Sequence, residues 1–276
     1  MNERMNIRRM QVPERQNDDL EFDPNRDITE EKWKQIEEEF QNELKTVERW
    51  LGHPESSRDL NSVGGLACEA ISLQILGKPT PISEDVLHEM ENLAERANTK
   101  SKTIYDTALF AFLKTQGMKP QISDALWKRF RERAKFVVHG GDNFADGDVR
   151  YVIDSALIDP TKLAFDDEDI AATTQEMESQ RAKGDAYSFS KFAHLAVLLK
   201  ILRPGALKLT KKDWNGMRSY LEWLPNNLDS SFASATMCMT LLAADEVHVT
   251  DKGIEVAHHN KSADKKMPTQ PGSLTL

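Results

Sequence analysis

The chain has 276 residues, 39% apolar and 29% charged, with a formal net charge of −9. At about 150 residues per domain this leaves room for one or two cores. Acids outnumber bases 45 to 36, which argues against a nucleic-acid coat or a protein held on anionic lipid by bulk charge. Two cysteines, Cys68 and Cys238, make neither a disulfide framework nor a four-cysteine zinc site. The apolar runs are too short for a membrane span. Arg4, Arg8 and Arg9 are not followed by the apolar block of a secretory signal. The expected setting is reducing, cytoplasmic and away from membranes.

In chain order, residues 1–27 are polar, of mixed charge, and interrupted by Pro13 and Pro24. They read as a disordered arm, because they bury too little apolar surface to offset chain entropy. Residues 28–258 read as one helical domain, and residues 259–276, rich in Lys, Pro and Gly, as a second disordered tail.

Within the domain a repeat is visible at the helix starts. Thr29, Ser83, Ser123, Asp166 and Thr210 can each accept from the free N–H groups of a first helical turn. Each is preceded by an apolar residue (Ile28, Ile82, Ile122, Phe165, Leu209). A second apolar residue follows four positions later (Trp33, Leu87, Trp127, Ile170, Trp214). This is the hydrophobic staple, which fixes how a chain enters a helix. The five signals are 54, 40, 43 and 44 residues apart. Ahead of four of them lie apolar stretches of helical spacing or a weaker equivalent: 63–76, 103–115, 149–158 and 189–202. A fifth such stretch, 231–244, follows the last signal. Gly77, Gly117, Pro160, Pro204 and Gly205 supply stops, and short extended pieces (TPIS, PQIS, LAFD, LKLT) lead to the next cap. At the end, Val247, Val249, Ile254 and Val256 alternate around Asp251, Lys252 and Gly253, the pattern of a small β-hairpin.

The expected fold is therefore all-α, a short α-solenoid of about five helix–turn–helix units of 40–44 residues, ending in a hairpin; the alternative is that the same helices close into a compact bundle of two halves, in which the first turns would not line one edge. The solenoid resembles a HEAT-type array in period and two-helix layout, with no motif residues to carry across. Residues 52–62 read as a polar insertion beside the first units.

Candidate chemistry is sparse. Asp142, Asp146 and Asp148 in the loop 139–148 could chelate a divalent cation. However, an EF-hand register from Asp142 puts Phe144 and Ile153 at ligand positions, so a Gly-rich turn is the simpler reading. The histidines are scattered, and His194 reads as a satisfied buried histidine. Both cysteines sit in small-residue helix patterns and read as packing. Lys128, Arg129, Arg131, Arg133 and Lys135 form a basic strip interleaved with Phe130 and Phe136, and read as the solvated face of a helix. Trp33, Trp127 and Trp214 read as staple residues.

The first turns after the five caps are the more suggestive set. They hold Glu30, Glu31, Glu84, Asp85, Asp124, Asp167, Glu168, Asp169 and Asp213. Acids there offset the helix dipole. If the units stack in register, they also line one ridge that would steer a basic partner. The expected function is a non-catalytic protein–protein scaffold, without metal or cofactor, that binds a basic protein or peptide through Glu30, Glu31, Glu84, Asp85, Asp124, Asp167, Glu168 and Asp213. The alternative is a divalent-metal-dependent protein or enzyme that uses the Asp142–Asp148 loop. Nucleic acid is a weaker third possibility, through Lys128–Lys135.

Overall fold

The computed structural model describes residues 22–51, 60–100, 106–141, 146–223, 232–244, 246–250 and 253–257. They form eleven α-helices: α1 (Pro24–Asp27), α2 (Glu30–Leu51), α3 (Leu60–Ile75), α4 (Glu84–Lys100), α5 (Asp106–Thr115), α6 (Asp124–Val138), α7 (Asp146–Ile158), α8 (Asp167–Lys183), α9 (Ala186–Leu202), α10 (Lys211–Trp223) and α11 (Phe232–Ala243). A 3-10 turn at Pro160–Leu163 follows α7. Strands β1 (Glu246–Thr250) and β2 (Gly253–Ala257) complete the described chain.

The helices fall into two kinds. Along α5, Ala108, Leu109, Phe110, Ala111, Phe112 and Leu113 are all buried in succession, so the helix has no solvent face. The same is true of Phe192–Leu199 in α9. By contrast, α2 buries only Ile36, Phe40, Leu44 and Val47, a single stripe at helical spacing. The first kind, α3, α5, α7, α9 and α11, is internal. The second kind, α2, α4, α6, α8 and α10, covers it.

The internal helices close a circuit. Helix α3 packs on α5, α5 on α7, α7 on α9, α9 on α11, and α11 returns to α3. The open stack expected from the repeat is therefore replaced by a ring. A helix apolar on all sides cannot stand at the end of a row, so the first and last internal helices cover one another. The compact pairs also differ from those read in the sequence. Each covering helix from α2 to α8 packs chiefly on the internal helix that follows it. The reason is the extended connection after each internal helix, which carries the chain onward before the next cap. Gly77 and Gly117, at φ +72° and +75°, turn the chain out of α3 and α5.

All five expected caps open a helix. Thr29, Ser83 and Ser123 accept from the N–H groups of Lys32, Val86 and Leu126 at 3.4, 3.4 and 3.2 Å. Asp166 accepts from Glu168 and Asp169, both at 3.0 Å, and Asp169 Oδ2 accepts in return from Asp166 N–H at 3.0 Å. Thr210 and Asp213 repeat this reciprocal box, with Thr210 N–H donating to Asp213 Oδ2 at 2.7 Å.

The covering helices follow one another end to end. From the last turn of α6, Lys135 Nζ reaches Asp169 Oδ2 at 2.5 Å and His139 Nε2 lies 2.9 Å from Asp169 Oδ1. From the last turn of α8, Arg181 spans both oxygens of Asp213 at 2.8 Å and donates to Lys208 O at 3.1 Å. From α10, Arg218 meets Asp27 at 3.4 Å, and Leu221 O accepts from Lys32 Nζ at 3.4 Å. The last joint brings the chain back to its first described residues. It also moves the start of the fold: Phe22 is buried and Asp23 caps α1, so part of the expected arm belongs to the domain. Residues 1–21 and the expected tail, 259–276, lie outside the described residues.

The C-terminal ends of the internal helices are tied by lysines. Lys114 of α5 donates to Ile158 O of α7, and Lys200 of α9 donates to Leu242 O at 2.8 Å and to Ala244 O. These contacts satisfy carbonyls that a helix end leaves free. The hairpin forms as expected, with Val247 opposite Val256 and Val249 opposite Ile254. Strand β1 packs on α9 and β2 on α5.

Two predictions follow the joints. Asp213 is almost wholly buried while Asp167, paired with Arg203 at 3.1 Å, is 99% exposed. Urea unfolding of Asp213→Ala is expected to show a loss of about 3 kcal/mol, and Asp167→Ala a change below about 0.5 kcal/mol. For Asp169, desolvation raises the carboxyl pKa, but hydrogen bonds from Lys135 and His139 outweigh it and the net shift is downward. Its contribution is complete above the unfolded-chain value of about 3.9 and disappears as pH falls through the lowered native value. Asp169→Asn is expected to flatten the acid limb of the stability profile.

Candidate functional site

The internal helices are mainly apolar, and several of their buried polar side chains meet in one network. Arg150 and Asp154 stand one turn apart on α7 and are both buried, with Nε donating to Oδ1 at 2.8 Å. Arg150 then reaches two further helices. Its Nη1 donates to Ser234 Oγ of α11 at 2.9 Å and to Ser72 Oγ of α3 at 3.4 Å, and its Nη2 donates to Cys68 O at 3.2 Å. The Cys68 thiol lies 3.8 Å from Asp154 Oδ2. His194 of α9 joins through Ser234. Its Nδ1 donates to Ser190 O at 2.8 Å, leaving Nε2 to meet Ser234 Oγ at 3.3 Å. One guanidinium therefore links α3, α7 and α11 directly, and α9 through a serine.

The electrostatics are those of a sealed ion pair. Burial opposes charge on Arg150, but Asp154 holds its pKa above the ordinary value. Burial pushes the Asp154 carboxyl up and Arg150 pulls it back. Burial also drives the Cys68 thiol up to about 12, so it stays protonated and is a poor nucleophile. A serine hydroxyl against an imidazole can be a base-activated nucleophile. Here, however, Ser234 Oγ already accepts from Arg150, which engages one of its two lone pairs and ties the hydroxyl to a buried ion pair. The network fits a clamp across the ring better than a reaction centre.

The predicted binding residues lie elsewhere. Glu30 and Glu31 on α2, Glu84 and Asp85 on α4, Asp124 on α6, and Asp167 and Glu168 on α8 are all exposed in first turns. Asp213 departs from the expectation: it is buried in the α8–α10 joint, held by Arg181 and by its own cap. The seven exposed acids lie on four separate covering helices. Of the metal alternative, Asp142 lies outside the described residues, and Asp146 and Asp148 fall in the first turn of α7. Among the described residues no group of three or more His, Cys, Asp or Glu is arranged to hold a metal ion. No described helix is long and apolar enough to cross a membrane. On α6, Leu126, Trp127, Phe130, Ala134 and Val137 are core, while Lys128 and Arg129 face solvent.

Sequence reasoning passed over Arg150 and Asp154. Their signal was present: they are the only charged residues within VRYVIDSALI, spaced i to i+4 so that one face carries both. No protein-family model matches the chain, and no match was found among curated proteins or solved structures.

The clamp has a direct test. Arg150→Met leaves a buried carboxylate without its cation and is expected to cost about 3–5 kcal/mol in denaturant unfolding. Adding Asp154→Leu removes the orphaned charge and is expected to recover most of that loss, a coupling that a double-mutant cycle reads directly.

Proposed function

We propose that the chain is a non-catalytic helical-repeat scaffold that binds a basic protein or peptide through carboxylates on its covering helices. The observation that carries this reading is how its charges are divided. Asp27, Asp154, Asp169 and Asp213 are engaged by Arg218, Arg150, Lys135 and Arg181 inside the fold. Glu30, Glu31, Glu84, Asp85, Asp124, Asp167 and Glu168 remain at the surface in first turns. A first turn needs only modest negative charge to balance its dipole. The surplus gives the perimeter an outward field that raises the encounter rate of a positively charged partner. The two free cysteines suit a reducing, cytoplasmic setting.

The test is capture from a lysate of the source organism, with a triple charge-reversed variant, Glu84→Lys, Asp85→Lys and Asp124→Lys, as control. A basic partner retained by the wild type, weakened about tenfold or more by the variant, and released by added salt supports the reading. Equal capture by a variant that keeps its circular dichroism and melting temperature would overturn it.

A further inference from the structure

One buried acid has no counter-charge. Glu69 lies on the internal helix α3, is 9% exposed, and its Oε2 atom is sealed from solvent with no hydrogen-bond donor. The charges that face it are both negative: Glu39 and Glu43 of α2, the helix that covers α3. Of the other helices packed on α3, α11 carries no charged residue, and the charged residues of α5 are Asp106 and Lys114 at its two ends, with the Lys114 ammonium donating to Ile158 O. Cys68, next in sequence, stays a neutral thiol. Glu39 and Glu43 are themselves half-buried. Burial, then the two neighbouring carboxylates, raise the Glu69 pKa to about 8. Burial also raises that of Glu43.

The backbone leaves room there. Gly65 sits within α3 beside Glu43, and a Cβ at that position would rest 3.9 Å from the Glu43 carboxyl, an ordinary contact. Alanine would fit and would favour the helix by about 1 kcal/mol. Elsewhere in this protein three buried or half-buried acids, Asp27, Asp154 and Asp213, are each met by an arginine, and a fourth, Asp169, by Lys135. A planar fork of donors matches paired carboxylates better than a point charge does.

We propose that the seam between α2 and α3 is a socket for an arginine side chain of the basic partner, with Glu69 as its floor and Glu39 and Glu43 as its walls. The inference rests on the partner-binding reading and assigns it a specific contact. An entering guanidinium gives Glu69 the donor it lacks and neutralises the repulsion among three acids. Because Glu69 is largely protonated near neutrality, binding must release a proton.

The test uses the full chain and a Gly-Gly-Arg-Gly-Gly amide, with the lysine peptide and sodium chloride at equal ionic strength as controls. Carboxyl-carbon NMR would follow the titration of Glu69. The expected result is a fall of the Glu69 pKa by more than one unit at saturating arginine peptide and a smaller fall with lysine. Because a proton is released, affinity should rise with pH, about tenfold per unit, up to the free Glu69 value, and fall as the solution is made more acidic. Glu69→Gln should fold, melt higher than the wild type at pH 8, and lose both the pH dependence and most of the binding. A Glu69 pKa that does not move beyond the salt control, or peptide binding unchanged in Glu69→Gln, would overturn the socket. A captured partner that still binds Glu69→Gln but not the first-turn variant would sink the socket and leave the scaffold reading standing. Arginine-peptide binding with no partner sensitive to either variant would do the reverse.

Discussion

An internal helix that is apolar around its whole circumference must find neighbours on every side, and most of this architecture follows from that. In α5, six consecutive residues are buried, so two internal neighbours and an outer cover are all required. In an open row α3 and α11 would each lack one of those neighbours. Exposed apolar area costs roughly 25 cal/mol per Å², so a helix-length stripe left at either end would weigh heavily against a stability of only about 5–15 kcal/mol. Packing α11 on α3 removes both stripes at once. The hairpin then takes the place in the chain where another covering helix would stand, and lies against α5 and α9.

Closure by apolar contact alone would leave rotation and sliding of the internal helices weakly specified. Arg150 supplies directional bonds. Its donors reach Asp154, Ser72, Ser234 and Cys68 O, so one side chain fixes the relative height of α3, α7 and α11, and Ser234 extends this to His194. On the outside the end-to-end joints do similar work with less burial. Lys135 and Arg181 each lie in the last turn of one helix, where a cation is favoured. Each meets the N3 acid of the next helix, where an anion is favoured. One ion pair thus answers two helix dipoles.

Local structure was readable from residues because it is decided locally. A cap, an apolar residue before it and another four beyond it are chemistry within seven residues, and all five such signals open helices. The alternation through Val247, Val249, Ile254 and Val256 gave the hairpin in the same way. Closure stood only as an alternative to the open stack, because it depends on contacts such as Ser72 with Met237, 165 residues apart, and a repeat period is the same for a row and a ring. The burial of Asp213 was hidden for a related reason. Its partner Arg181 is 32 residues distant, and nothing in the first turn of α10 separates it from the exposed Asp124. The overlooked signal was a charged residue within an all-apolar helix: Arg150, Asp154 and Glu69 all stand out in this way, and all three belong to the interior.

These three interior charges differ in how they are answered, and the difference bears on function. Arg150 and Asp154 answer one another, so replacing both by apolar residues should leave a fold of similar stability. Glu69 is answered by nothing within the described chain and is opposed by two neighbours. A carboxyl in that position is costly to keep if it serves only the fold, since glutamine or leucine would pack α2 on α3 without the repulsion. Closure sharpens the point. Under the proposed function, a partner of this closed ring would meet the covering helices rather than the long concave groove through which an open solenoid grips a peptide. On such a surface diffuse charge can speed encounter, but residence depends on a few desolvated anchors. In the proposed reading the exposed first-turn acids serve the first task, and Glu69, with its unmet buried carboxyl oxygen, serves the second.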